Sequence, residues 1–155
     1  MNHNETVSTY FGLSLGDWPQ YKIHIAHNNG FEEPIDVARD GFQNWEFWNC
    51  WRGGRGNNDF NRPFIFSLIP IPNSGGKYVF GGIFKVVKRH NDWKETEVGY
   101  DIELDEKTKN LIGRVVIEYH RKQGQGGRSF KMENHIERMT IVDVLDKPFE
   151  GIGPS

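Results

Sequence analysis

The chain is 155 residues long, with 19 Lys and Arg against 21 Asp and Glu, a formal net charge of −2. That length supports one sizeable core and not two, so residues 1–155 read as a single domain, and the near-neutral charge excludes a globally basic nucleic-acid wrapper. An aromatic content of 14% excludes a disordered chain, and the lone Cys50 excludes an internal disulfide framework or a multi-cysteine zinc site. No apolar run approaches the roughly 18 residues of a membrane span. Met1-Asn2-His3-Asn4-Glu5 carries no basic-to-apolar leader. The expectation is a soluble cytoplasmic protein.

In chain order, residues 1–19 read as an N-terminal extension whose order the pattern leaves open. Tyr21 to Ile25 alternates as a strand. Glu33 to Asp40 suits a short helix, with Pro34 in its first turn, Ile35 and Ala38 on one face and Gly41 to stop it. Asn44 to Trp48 alternates in part, and Phe64 to Ile69 is a dense apolar run closed by Pro70. Tyr78 to Val87 is β-branched and aromatic around Gly81-Gly82, a pair that suggests a bulge or a sharp bend. Tyr100 to Leu104 alternates cleanly. Gly113 to Tyr119 reads as a strand with Val115, Ile117 and Tyr119 on one face; Phe130 to Met132 and Met139 to Val144 complete the set. Glycine-rich tips fall at residues 53–58, 73–76 and 123–127. Seven or eight short strands at this spacing predict a mainly β (α+β) fold: a small, bent, partly open β-barrel with one or two short helices.

Charge is segregated along the chain. Residues 28–48 and 95–106 are strongly acidic, whereas 52–62, 85–94 and 107–138 are basic. Such segments either gather on one face and make the molecule dipolar, or alternate across exposed strands and cancel.

Two stretches combine residues suited to nucleic acid. Trp45, Trp48 and Trp51 precede the loop Arg52-Gly53-Gly54-Arg55-Gly56-Asn57-Asn58, with Arg62 following. Period-two geometry puts Trp45 and Trp51 on one side and Trp48 on the other. An exposed ring could stack a base, and the arginines could reach phosphate or a base edge; the competing explanation is that the tryptophans fill the core behind a hairpin tip. The second stretch is Arg114, then Arg121-Lys122, the Gln123 to Gly127 tip, Arg128 and Lys131, a basic hairpin suited to phosphates or simply to solvent. The candidate DNA- or base-binding set is therefore Trp45, Trp48, Trp51, Arg52, Arg55, Arg62, Arg114, Arg121, Arg128 and Lys131.

Catalytic motifs do not emerge. The chain has no GxSxG, Walker-type loop or HExxH. His24 and His27 are a weak metal signal. Asp101 and Glu103 share a strand face, but no lysine stands two residues after Glu103. Tyr78 to Phe84 holds both halves of a GIY-YIG string only in the wrong order. Cys50, between Trp48 and Trp51, reads as structural. No catalytic residue, metal or cofactor is expected.

Several segments carry a resemblance by their order: Phe64 to Ile69, Tyr78 to Val86, Gly99 to Leu104, Leu111 to Ile117, Arg128-Ser129-Phe130, and Val144-Leu145 followed by Pro148 to Ile152. Together they resemble the N-terminal region of bacterial proteins whose C-terminal part is a GIY-YIG nuclease domain. The resemblance spans roughly residues 20–152, and its sharpest piece is the Gly113-Arg114 strand followed by Arg128-Ser129-Phe130. It implies a module that helps a restriction-type nuclease choose DNA. The nuclease's own tyrosine pair, arginine and glutamate have no counterpart in this chain. The barrel pattern is also similar, more loosely, to PUA-like readers of the EVE and SRA type, which implies a pocket for a modified base. The expectation is a non-catalytic DNA-recognition module, possible partners being modified DNA and a C-terminal nuclease domain, with no membrane. Two alternatives stand beside it: a protein-interaction or dimerisation domain presenting exposed tryptophan, and a fragment of a metal-dependent nuclease using Asp101, Glu103 and Asp105. Aromatics within 64–69 and 78–84 are expected in the core.

Overall fold

The structure is a computed structural model that describes residues 2–25, 61–71, 73–89, 100–120 and 129–149. Strand β1 (Asn2–Thr6) leads directly into a short helix α1 (Val7–Phe11). Then follow β2 (Tyr21–Ile25), β3 (Phe64–Pro70), β4 (Lys77–Arg89), β5 (Tyr100–Leu104), β6 (Val115–Tyr119), β7 (Ser129–Lys131) and β8 (Met139–Val144). These eight strands form one open sheet in the order β1-β8-β6-β4-β3-β2-β7, with β5 also on β4. The fold is mainly β, with few helices. The predicted helix at 33–40, the strand at 44–48 and the glycine-rich tips at 53–58 and 123–127 lie outside the described residues. Among the described residues no helix is long and apolar enough to cross a membrane.

The N-terminal residues carry elements that their composition does not advertise. β1 pairs antiparallel with β8, and α1 follows without a linker. Thr6 caps the helix, its hydroxyl accepting from the Thr9 N–H. Gly12 ends it at φ 68°, donating to the Thr9 carbonyl while Leu13 donates to Ser8. Five residues are too few to be stable alone; burial of Val7 and packing of Phe11 onto Phe66 and Phe80, at 5.1 and 4.7 Å between ring centroids, hold the helix down.

The sheet buries apolar side chains on both faces. One face carries Ile23 and Ile25 from β2, Phe66 and Leu68 from β3, Phe80 from β4, Val115 and Ile117 from β6, and Ile141 from β8. The other carries Ile65, Ile69, Phe84 and Tyr100, with Val79 and Val116 beside them. β3 is covered on both faces, which is why Phe64 to Ile69 reads as a continuous apolar run rather than an alternating one. β6 keeps the predicted face of Val115, Ile117 and Tyr119, all buried. It begins at Val115 rather than Gly113, because Gly113 adopts φ 80° and donates to Phe80 from outside the strand. Likewise β7 ends at Lys131, and Met132 begins a 3₁₀ turn.

Four steps separate β6 from β7 along the sheet. In a flat sheet that is about 19 Å of lateral distance. Yet Tyr119 of β6 stacks on Phe130 of β7 with centroids 5.8 Å apart, and its hydroxyl meets His135 Nδ1 at 2.8 Å. The sheet must therefore roll strongly around the core. Bulges supply part of the bend. Ser67 stands opposite Gly82 and Leu68 opposite Phe80, which leaves Gly81 as the extra residue, as the glycine pair predicts. Gly82 itself sits at φ 112°, and a Cβ there would come within 3.1 Å of Phe84 and 3.2 Å of Ile112. Gly82→Ala is expected to lower stability by about 1–3 kcal/mol in urea unfolding. Gly16→Ala, where the added methyl meets nothing nearer than 3.9 Å, should change it by less than about 0.5 kcal/mol.

Candidate functional site

Of the ten residues assigned to DNA or base binding from sequence, Trp45, Trp48, Trp51, Arg52, Arg55, Arg121 and Arg128 lie outside the described residues. The other three are spread apart in role. Arg62 is an internal clasp: its guanidinium, 14% exposed, grips both carboxylate oxygens of Glu133 at 2.5 and 2.9 Å and donates to the Tyr21 carbonyl at 3.1 Å. It thereby ties the start of β2 to the turn after β7. Arg114, half-buried, donates from Nε to the Leu145 carbonyl at 2.9 Å and from Nη1 to Asn110 at 3.3 Å, fastening the end of β8 to the loop before β6. Lys131 is exposed on β7, opposite the buried Lys22 of β2.

Between β4 and β5 the segregated charges meet through strand pairing. Lys85 stands opposite Glu103 and Lys88 opposite Asp101, so the basic segment from residue 85 and the acidic segment ending at 106 meet as neighbours. Opposite charges in such cross-strand pairs each contribute some tenths of a kcal/mol. Along β4 and β5 the charges interleave instead of collecting on one face. Among the described residues no three His, Cys, Asp or Glu side chains gather closely enough to hold a metal ion.

What the described residues do assemble is a groove, beside α1, that the sequence does not signal. Its floor is a row across four strands. Tyr21 of β2 pairs with Phe64 of β3, Phe64 with Lys85 of β4, and Lys85 with Glu103 of β5. One row further in, Phe66 and Ile83 pair and Phe11 of α1 lies on Phe66. The helix ends there, and the outer row is left beyond its cover. Phe11 and Leu13 form one wall, and the loop Asp105–Thr108 forms the other, around a cavity of about 470 Å³. Tyr21 and Phe64 stack at 5.1 Å with a 25° tilt, both half-buried. Phe64 is thus not the core residue its strand predicts. Strand ends that outrun the covering helix keep their core-facing side chains partly wet, and a period-two pattern carries no record of where a helix stops.

The groove's polar groups are held in place. Asp105 continues the ladder by donating its N–H to the Ile83 carbonyl, and its carboxylate accepts from the Thr108 hydroxyl at 2.8 Å. Burial, with the charges of Asp17 and Asp105 behind it, pushes the Tyr21 phenol above its usual value, so it remains a neutral hydroxyl donor through physiological pH. Three carboxylates (Glu103, Asp105, Glu106) face two ammonium groups (Lys85, Lys107). A lining of that balance suits the hydrogen-bonding edge of a flat ring better than a phosphate. Comparison with known proteins returned nothing similar: no family model, no curated protein and no solved structure matches the chain.

The Arg62 clasp has a measurable pH signature. Its hydrogen bonds to Glu133 hold that carboxyl below the usual carboxylate range. A depressed folded value stabilises the protein above the unfolded value, and that stabilisation disappears as pH falls through the folded one. Glu133→Gln should therefore lose about 1 kcal/mol at neutral pH, with the gap to wild type closing on acidification; urea midpoints across pH 7 to 3 check this.

Proposed function

We propose that this chain is a non-catalytic DNA-recognition module that takes a base, modified or unmodified, into the Tyr21–Phe64 groove on behalf of a GIY-YIG-type nuclease. The observation that carries this reading is the stacked, half-exposed Tyr21–Phe64 pair inside a cavity of about 470 Å³, within the range of small-molecule pockets. A base extruded from a duplex forfeits a few kcal/mol of stacking and pairing. An aromatic platform returns about 1–3 kcal/mol per base, and hydrogen bonds must supply the remainder. The Tyr21 hydroxyl, Lys85 and the carboxylates of Glu103 and Asp105 offer donors and acceptors for a base edge. Phosphate contacts fall instead to the basic residues named from sequence, Arg52, Arg55, Arg121, Arg128 and Lys131. Arg62 and Arg114 are committed within the protein. A partly open, PUA-like barrel is part of the proposal; the parallel β2–β3 pair within an antiparallel sheet and the curl that carries β6 to β7 support it.

Fluorescence anisotropy with labelled duplexes tests the reading. Binding should be weak and fall steeply as salt rises, because phosphate contacts release counterions. Tyr21→Ala should weaken binding about tenfold, while Tyr21→Phe, which keeps the ring, should cost about threefold or less. Replacing Arg52 and Arg55 together by Ala should weaken binding on all sequences alike and flatten the salt dependence. A wild-type chain that binds no duplex at low salt, modified or not, would refute the proposal; a salt-insensitive dimer in sedimentation would favour an interaction domain instead.

A further inference from the structure

The floor of the groove ends in a pair of opposite charges that the protein leaves open. Lys85 of β4 and Glu103 of β5 stand directly opposite one another, in the same row as Phe64. Residues paired in this way project to one face of the sheet, with Cβ atoms about 4.5–5.5 Å apart. Both side chains are exposed, and both line the cavity. Neither side chain makes a hydrogen bond or an ion pair with another described residue. The other two carboxylates of the lining are engaged. Asp105 accepts from the Thr108 hydroxyl at 2.8 Å, and Glu106 lies 3.9 Å from the Lys109 ammonium. The groove therefore offers one open carboxylate and one open ammonium side by side, in line with the stacked Tyr21 and Phe64 rings.

We infer that the groove selects guanine, Glu103 accepting from its N1–H and N2 amine and Lys85 donating to its O6, with the Tyr21–Phe64 pair stacked on its face. This rests on the base-binding reading above. An extruded base is read along its Watson–Crick edge, so the edges can be compared with the pair. A carboxylate only accepts and an ammonium only donates. Guanine presents two adjacent donors and then an acceptor, which matches a carboxylate beside an ammonium in one row. Thymine presents two carbonyls around a single N–H, so one carbonyl would face the carboxylate unpaired, at the cost of a lost hydrogen bond. Cytosine and adenine each present one amine next to a bare ring nitrogen, and satisfy only one carboxylate oxygen.

Single strands test this without the cost of extrusion. The full chain is titrated by anisotropy against fluorescein-labelled thymine tracts of about 12 nucleotides, all thymine or carrying guanine, hypoxanthine, cytosine or adenine at the centre. The guanine strand should bind about tenfold tighter than the thymine strand, the worth of one good bidentate pair. Hypoxanthine, which lacks the N2 amine, should lose about threefold of that preference. Glu103→Gln should bring guanine and thymine to within about twofold of each other. The readout is the ratio between strands, because removing a negative charge tightens binding to every phosphate backbone alike. Glu103 is exposed, so its replacement does not threaten folding, and an unchanged thermal midpoint verifies this. Equal binding of all strands, preference for another base, or a guanine preference that survives Glu103→Gln overturns guanine selection; the base-binding reading stands in each case if Tyr21→Ala still weakens binding. Titration with dGMP alone separates the two sources of guanine: it should bind far more weakly than the strand, and equal affinity would assign the groove to a free nucleotide and overturn the DNA source. Absence of wild-type binding to every strand overturns the base-binding reading, and guanine selection with it.

Discussion

The contact between Tyr119 and Phe130 is the constraint on which the rest of the molecule depends. It joins strands that lie four steps apart in the sheet, and it can form only if the sheet curls. His135 locks it, hydrogen bonded to the Tyr119 hydroxyl and set edge-on against Phe130 at 4.4 Å. With the sheet rolled, one face becomes the inside of a trough. α1 and the turns at Met132–Asn134 and Ile136–Arg138 fill that trough with Val7, Met132 and Ile136. Flat, the same sheet would expose a wide apolar surface that a helix of five residues could not cover.

The groove is a by-product of that arrangement. α1 covers the rows of Phe66 and Phe80 and stops, because Gly12 turns the chain away in the left-handed conformation. The row of Tyr21, Phe64, Lys85 and Glu103 continues past it. The loop after β5 then closes the far side, held by the Asp105 backbone bond to Ile83. Rigidity on one wall and a short helix on the other yield a concave, partly aromatic site without any residue adopting a strained backbone for the purpose.

Arginine plays an architectural part in this structure. Arg62 and Arg114 each span a long sequence interval, to Glu133 and to Leu145, and each satisfies backbone carbonyls that would otherwise face solvent or go unpaired near the sheet's ends. A planar, multiply donating group is well suited to that task. In one dimension such residues resemble ligand-binding arginines, since both occur near turns and loops rich in glycine. Their partners within the protein lie 71 and 31 residues away.

Much of the sheet was legible from residue pattern. The strands at Tyr21, Phe64, Tyr100 and Met139 begin where alternation or apolar density begins, and the bulge at Gly81 follows from two adjacent glycines in a strand. These are local properties: side-chain period, β-branching and the conformational range of glycine act within a few residues. β1 and α1 escaped notice because their apolar content is small and their stability comes from β8 and the Phe66–Phe80 cluster, far along the chain. The groove escaped for the same reason. Tyr21, Phe64, Lys85 and Glu103 are unremarkable in sequence and become a site only through parallel and antiparallel register. That the charges of β4 and β5 meet as neighbours likewise awaited the pairing of those two strands. The sequence by itself determined a mainly β chain, the places of most of its described strands and the place of its bulge. Register, roll and the point at which α1 stops covering the sheet were decided by tertiary packing, because each depends on contacts between residues that no local pattern brings together.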